Sequence, residues 1–102
     1  DGATPAFIAA QEGQTAAGVT PASIAAQNGE TARLDILVKA GCDVNQADEY
    51  GLTPAYVAAQ NGQTAALDIL VKAGCDVNQA DEYGLTPAYV AAQNGQTAAL
   101  DI

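Results

Sequence analysis

The feature that most constrains this chain is an exact internal repeat. Residues 34–66 and 67–99 both read LDILVKAGCDVNQADEYGLTPAYVAAQNGQTAA, and residues 100–102 begin the same text again. A single unit of this size cannot bury an apolar face, whereas units stacked in series share one continuous core. The repeat therefore predicts a solenoid.

Each unit carries start and stop signals for two short helices, followed by a loop. Thr53 suits an N-cap and Pro54 suits the first helical position, so AYVAAQ is predicted to continue a helix that ends at Gly62. We expect Thr64 to cap a second helix, AALDILVKA, that ends at Gly74. The polar stretch CDVNQADEYG that follows predicts an extended loop or hairpin.

The segment GLTPAYVAAQNG, together with LDILVKAGCDVN, closely resembles the ankyrin repeat, and the resemblance covers essentially the whole chain. It implies an all-α, ankyrin-type α-solenoid of stacked helix pairs with short hairpin loops. About three to four repeats are expected in a single domain, incomplete at both ends. The predicted units are a partial repeat at 1–17, repeats at 18–50 and 51–83, and a partial repeat at 84–102.

The chain departs from the family pattern where that pattern has histidine. The family's T-P-L-H is here T-P-A followed by Phe7, Ser23, Tyr56 or Tyr89, and its Gly-His is Gly-Gln or Gly-Glu. The family histidines form local hydrogen bonds. We expect Tyr and Gln side chains to replace part of that network.

The sequence contains few residues that could carry out catalysis or bind a metal ion. The chain has no His, so the commonest general base and metal ligand is missing. Each Thr-Pro is explained as a helix cap, and the adjacent carboxylates at 48–49 and 81–82 are interpreted as solvated hairpin tips. The oxygen-bearing residues in these loops lack the spacing of a calcium loop, and two Cys without His cannot supply four zinc ligands. We expect no enzyme activity, no cofactor and no metal site.

The two cysteines, Cys42 and Cys75, occupy the same position in neighbouring units. Neighbouring helices pack about 8–10 Å apart, whereas a disulfide needs Cα atoms within about 7 Å. We therefore expect two free thiols and no disulfide. Unpaired thiols favour, weakly, an intracellular (cytoplasmic) location over a secreted one.

The charge balance narrows the class of partner. The formal net charge is -9, with only Arg33, Lys39 and Lys72 positive. Nucleic acid and anionic membrane surfaces are excluded as natural partners, because both require clustered basic side chains. A protein partner with basic and apolar character is the interpretation that the charge supports.

Resemblance to ankyrin repeats implies a protein–protein interaction module, whose partner lies along the hairpin tips and the concave face of the first helices. Tyr50 and Tyr83 are the most informative positions, since an exposed tip Tyr suits binding, although each could instead pack over its own hairpin. The family surface, carried over by position, comprises Glu49, Tyr50, Leu52, Gln60, Asn61, Glu82, Tyr83, Leu85, Gln93 and Asn94. Gln27, Asn28, Val19 and Ala3 are the upstream equivalents.

Two other functions remain open at this stage. Identical units present identical contacts, which favours self-association into a filament or array. Perfect repetition is also typical of a designed or consensus scaffold without a native partner.

One join breaks the period. Ala17 aligns with Ala66, but Gly18 aligns with Gly84, so the segment equivalent to Leu67–Tyr83 is missing between them. A real deletion would leave an apolar face half uncovered, at about 1.5–3 kcal/mol for each large aliphatic side chain left exposed. We therefore interpret the join as the position of a segment that the natural protein possesses.

Overall fold

The computed structural model describes residues 17–96 and contains five α-helices in that range. They are α1 (Pro21–Asn28), α2 (Thr31–Lys39), α3 (Pro54–Gln60), α4 (Thr64–Lys72) and α5 (Pro87–Gln93). No strand occurs in this range. Helix pairs that recur in series confirm the predicted all-α solenoid. The expectations for Ala3 and Phe7 lie outside the described residues, as does most of the partial repeat at 1–17.

The first helix of each pair starts as its Thr-Pro signal predicts. Thr53 is extended, with φ −96° and ψ 165°, and its hydroxyl accepts a hydrogen bond from the Tyr56 backbone N–H at 3.2 Å. Thr20 caps α1 and Thr86 caps α5 in the same way. Proline at the first helical position lacks the N–H that would otherwise need a partner. Local sequence alone therefore sets these three helix starts.

The start of the second helix differs from the prediction. Thr64 is the first residue of α4 rather than its cap, and the preceding residue, Gln63, makes no side-chain capping bond. The Thr64 hydroxyl instead accepts a hydrogen bond from Gln96 Nε2 of the following unit at 3.0 Å. This threonine joins two units, and the prediction that it caps a helix was wrong.

The helices form two rows that share one core. The first helices α1, α3 and α5 pack side by side, and the second helices α2 and α4 pack in a parallel row behind them. Fully buried alanines, among them Ala25, Ala58 and Ala66, fill the contacts together with Leu34 and Leu67. Small side chains allow the helix backbones to approach closely, so this core needs few aromatic residues.

Glutamine side chains form hydrogen bonds between neighbouring units. Gln63 Nε2 donates to the Gln27 carbonyl at 3.1 Å, which links the start of α4 to the end of α1. Gln96, the equivalent of Gln63 one unit later, has a different acceptor, because its Nε2 donates to the Thr64 hydroxyl at the start of α4. The expectation that Gln replaces part of the family's histidine network is confirmed at these two positions.

Candidate functional site

A set of partly buried hydrogen bonds shapes the loop that follows each second helix. Asp48 Oδ1 accepts from the backbone N–H groups of Tyr50 and Leu52 at 2.9 and 3.0 Å. The Asp48 N–H in turn donates to the Leu52 carbonyl at 3.0 Å. Asp81 repeats all three bonds one period later. One carboxylate oxygen thus satisfies two backbone donors and fixes a tight, hairpin-like tip.

Successive tips stack directly on one another. The Glu82 N–H donates to the Tyr50 carbonyl at 3.3 Å, and the Glu49 N–H donates to the Ala17 carbonyl at 2.9 Å. Gly51 lies at the contact with φ +79°, and a Cβ placed there would be 2.9 Å from Asp81 Cα. Only glycine fits such a position without displacing backbone. The tips therefore form a continuous row along one edge of the solenoid.

The row presents acidic and aromatic side chains to solvent. Glu49 and Glu82 are exposed, and the Tyr83 side chain is 49% exposed. Partial desolvation and the neighbouring Glu82 carboxylate raise the pKa of the Tyr83 phenol. Tyr50 is half-buried and packs against the core. We call Glu49, Tyr50, Glu82 and Tyr83 the tip surface.

The leucines that follow each tip pack against the core. Leu52 is 1% exposed and belongs to the core cluster, so its predicted place on the binding surface is wrong. Leu85 is half-buried and packs against the same core. The turn made by Asp48 or Asp81 reverses the chain just before each leucine, and the apolar side chain then anchors the loop to the helices.

The asparagines that end the first helices are exposed but also structural. Asn61 Nδ2 donates to the Val57 carbonyl at 2.8 Å within its own helix. Asn94 Nδ2 instead reaches the Ala59 carbonyl of the preceding unit at 2.7 Å. Both side chains therefore satisfy helix-end carbonyls, and a partner would meet their remaining polar atoms.

The glutamines beside them differ in accessibility. Gln60 is half-buried, and its Oε1 is buried without a hydrogen-bond partner in the described part of the chain. Gln93 is exposed, and its Nε2 donates to the Tyr89 hydroxyl at 3.2 Å. Gln93 is thus the more available of the two predicted contacts.

A protein-family model described as ankyrin repeats (3 copies) matches residues 22–102. The chain belongs to the ankyrin repeat family. No curated protein matches it. Ankyrin repeats are generally protein–protein interaction modules and generally non-catalytic. None of the helices in residues 17–96 is long and apolar enough to cross a membrane.

One structural carboxylate of these ankyrin repeats was missed by sequence reasoning. Asp81 is only 7% exposed, so the prediction of a solvated carboxylate is wrong at this position. Its Oδ2 has no hydrogen bond of acceptable geometry within the described range. Burial, followed by the nearby Asp81 charge, raises the pKa of the Tyr56 phenol to about 12. The sequence did hold a signal for this Tyr56–Asp81 contact. Tyr56 stands where the family has a histidine that forms local hydrogen bonds, so a polar partner near Tyr56 was to be expected.

The cysteines lie at the ankyrin loops without pairing. Cys42 and Cys75 are free thiols, and both are half-buried. Burial, with a smaller contribution from Asp76, raises the pKa of Cys75 to about 11. Within residues 17–96, no group of three or more Cys, Asp or Glu side chains is arranged to hold a metal ion.

Proposed function

We propose that this ankyrin repeat chain is a non-catalytic binding module that holds a protein partner on the tip surface, with Gln93 and Asn94 at its border. The observation that carries the proposal is the half-exposed Tyr83 ring beside exposed Glu82 in a row of stacked, hydrogen-bonded tips. A rigid loop that presents Tyr offers a large contact area at low entropic cost. The tips are thus preorganised for binding.

The distribution of charge supports a basic partner. All three cations lie on the second helices, where each is within ion-pair distance of its own acid: Arg33 with Glu30, Lys39 with Asp35 and Lys72 with Asp68. The tip row contains acids but no cation. Its negative field is therefore not neutralised locally, which favours Lys or Arg on the partner and faster association at low salt.

A partner segment that combines Lys or Arg with an apolar or aromatic group fits this surface best. The ring of Tyr83 would pack against the apolar part, and the two glutamates would face the basic part. Free thiols at Cys42 and Cys75 make a reducing, intracellular compartment the location we propose. No residue of the tip surface is assigned a catalytic role.

The test is selection from a displayed library of basic and aromatic peptides, followed by titration of the selected peptides. Tyr83→Ala should weaken binding at least tenfold, as expected for loss of about 1.4 kcal/mol or more at a binding hot spot. Glu82→Gln should weaken binding less and flatten its salt dependence. Tyr83 is a better target than Tyr50, because Tyr50 packs against the core and its loss would also lower stability.

Ile36→Ala is the matched control. Ile36 is also a large exposed apolar residue, but it lies on α2 in the other row of helices. It should leave the affinity unchanged. Equal losses for both variants, or no peptide selected, would contradict the proposal. Concentration-dependent growth of the sedimenting species that depends on Tyr83 would favour self-assembly instead.

A further inference from the structure

The same five residues, AAQNG, lie at the carboxyl end of each first helix. They occupy positions 25–29, 58–62 and 91–95. Each copy places an asparagine before a glycine with positive φ, namely Gly29, Gly62 and Gly95. An asparagine followed by glycine is prone to intramolecular deamidation, because glycine has no side chain to obstruct its own backbone nitrogen. The sequence therefore offers three equivalent sites for one reaction.

Hydrogen bonds of the asparagine side chains make these three sites unequal. Asn61 Nδ2 donates to the Val57 carbonyl at 2.8 Å, and Asn94 Nδ2 donates to the Ala59 carbonyl of the preceding unit at 2.7 Å. Asn28 makes no side-chain hydrogen bond in the described part of the chain. All three asparagines are exposed, so access to water does not distinguish them. The carboxamide that must react is held in place at Asn61 and Asn94 but can rotate at Asn28.

The backbone nitrogen that would attack differs in the same direction. The Gly29 N–H donates to the Ala26 carbonyl at 3.4 Å, which is longer than the usual N···O separation of about 2.7–3.2 Å. The corresponding N–H groups of Gly62 and Gly95 each donate at 3.2 Å. A nitrogen that attacks must first give up its hydrogen bond. Both reacting groups are therefore least restrained where Asn28 precedes Gly29.

We infer that Asn28 is a modification site, at which the folded chain deamidates through a cyclic succinimide, and that the fold protects Asn61 and Asn94 from the same reaction. The Gly29 nitrogen attacks Asn28 Cγ, so that a new N–Cγ bond forms and the Cγ–Nδ2 bond breaks. The amide nitrogen leaves as ammonia and carries away the proton that Gly29 loses. Water then opens the ring at either carbonyl and gives aspartate or isoaspartate. Water is the only co-reactant.

The product changes the end of α1 but breaks no hydrogen bond between units. Asn28 is the last residue of α1, so a carboxylate there adds negative charge at the negative end of the helix dipole and weakens this helix end. At Asn94 the same conversion would replace an amide donor with a carboxylate that repels the Ala59 carbonyl. The bond that slows the reaction at Asn94 is thus the bond that the reaction would destroy.

The experiment measures the rate of deamidation at each site in the full chain. The protein is incubated in mildly alkaline buffer, sampled over time, digested with trypsin and analysed by mass spectrometry. Cleavage after Arg33, Lys39 and Lys72 places the three sites in different peptides, and residues 1–33 contain no asparagine other than Asn28.

Two controls separate the effect of the fold from that of the local sequence. Glu30→Gln makes the sequence AAQNGQTA identical around all three sites, and it removes only an exposed ion pair with Arg33. The same incubation in urea that unfolds the chain gives the three rates without the fold.

In the folded Glu30→Gln chain, Asn28 should deamidate about two- to tenfold faster than Asn61 and Asn94, which is the range that one net hydrogen bond corresponds to. In urea the three rates should agree. Peptide 1–33 should contain both aspartate and isoaspartate at position 28, because ring opening yields both. A folded chain in which Asn28 is not the fastest site would overturn the inference. The same rate ratio in urea, or aspartate alone at position 28, would overturn it too.

Discussion

Leu37 and Leu70 have the same neighbours in sequence but differ in burial. The effect of burial on stability can therefore be measured within one protein, without a change in local sequence. Both leucines stand in the sequence LDILVKAG, at the seventh position of a second helix. Leu70 is 0% exposed, whereas Leu37 is half-buried. We predict that Leu70→Ala destabilises the fold much more than Leu37→Ala.

The expected magnitudes follow from the two environments. Leu→Ala removes three carbon atoms, worth about 2.4 kcal/mol of transfer free energy at roughly 0.8 kcal/mol each. At Leu70 the enclosed site adds a cavity cost, which brings the loss of unfolding free energy to about 3–4 kcal/mol. At Leu37 about half of the transfer term applies and solvent fills the space, so the loss is about 1 kcal/mol.

Urea unfolding followed by far-ultraviolet circular dichroism measures the difference. A gap of about 2–3 kcal/mol separates the two midpoints by about 1–2 M for a urea slope near 1.5 kcal/mol/M. A Leu70→Ala chain that is unfolded without urea, beside a folded Leu37→Ala chain, agrees with the same reasoning. Equal midpoints for the two variants would refute it, because the burial difference would then have no energetic consequence.

Two further predictions test the contacts between tips and between units. Gly51→Ala and Gly62→Ala both place a side chain at positive φ, at a cost of about 1–2 kcal/mol each, but only Gly51→Ala also meets backbone, at Asp81 Cα. Gly51→Ala should therefore lower the urea midpoint further, and equal shifts would argue against close stacking of the tips. The ordinary pKa of a tyrosine phenol is 10.0, and in the folded chain the pKa of Tyr56 is raised above it. Above pH 10.0 the folded chain therefore keeps a phenol proton that the unfolded chain loses. That contribution to stability is complete below pH 10.0 and is lost as the pH rises towards about 12, so Tyr56→Phe should show a shallower loss across this range in thermal melts. If Tyr56→Phe shows the same pH dependence as the original chain, a group other than Tyr56 is responsible for the loss of stability at alkaline pH.

The binding surface was only partly predictable from the sequence. The position of the tips followed from the family pattern, and the exposure of Glu49, Glu82 and Tyr83 agrees with it. Leu52 was wrongly placed on the surface, because the sequence does not show that the Asp48 turn directs the next apolar side chain inward. Which side of a loop faces the core depends on the whole turn, not on the type of residue.

The sequence by itself determined the period, the starts of α1, α3 and α5 and the glycine ends of the helices. These features are local: Thr20, Thr53 and Thr86 each cap a helix through a backbone N–H three residues ahead. A glycine such as Gly62 ends a helix through its own φ. Interactions between residues three or four positions apart are encoded by those residues, wherever the unit lies in the solenoid.

Only the tertiary structure decided how identical residues behave. Leu37 and Leu70 share their neighbours in sequence but not in space, and Gln46 and Gln79 make different hydrogen bonds for the same reason. Burial in a solenoid comes from the adjacent unit, so it depends on whether that unit is there to cover the face. Repetition in the sequence fixes the contacts that each unit can make, and the stacking of units fixes which of them are made.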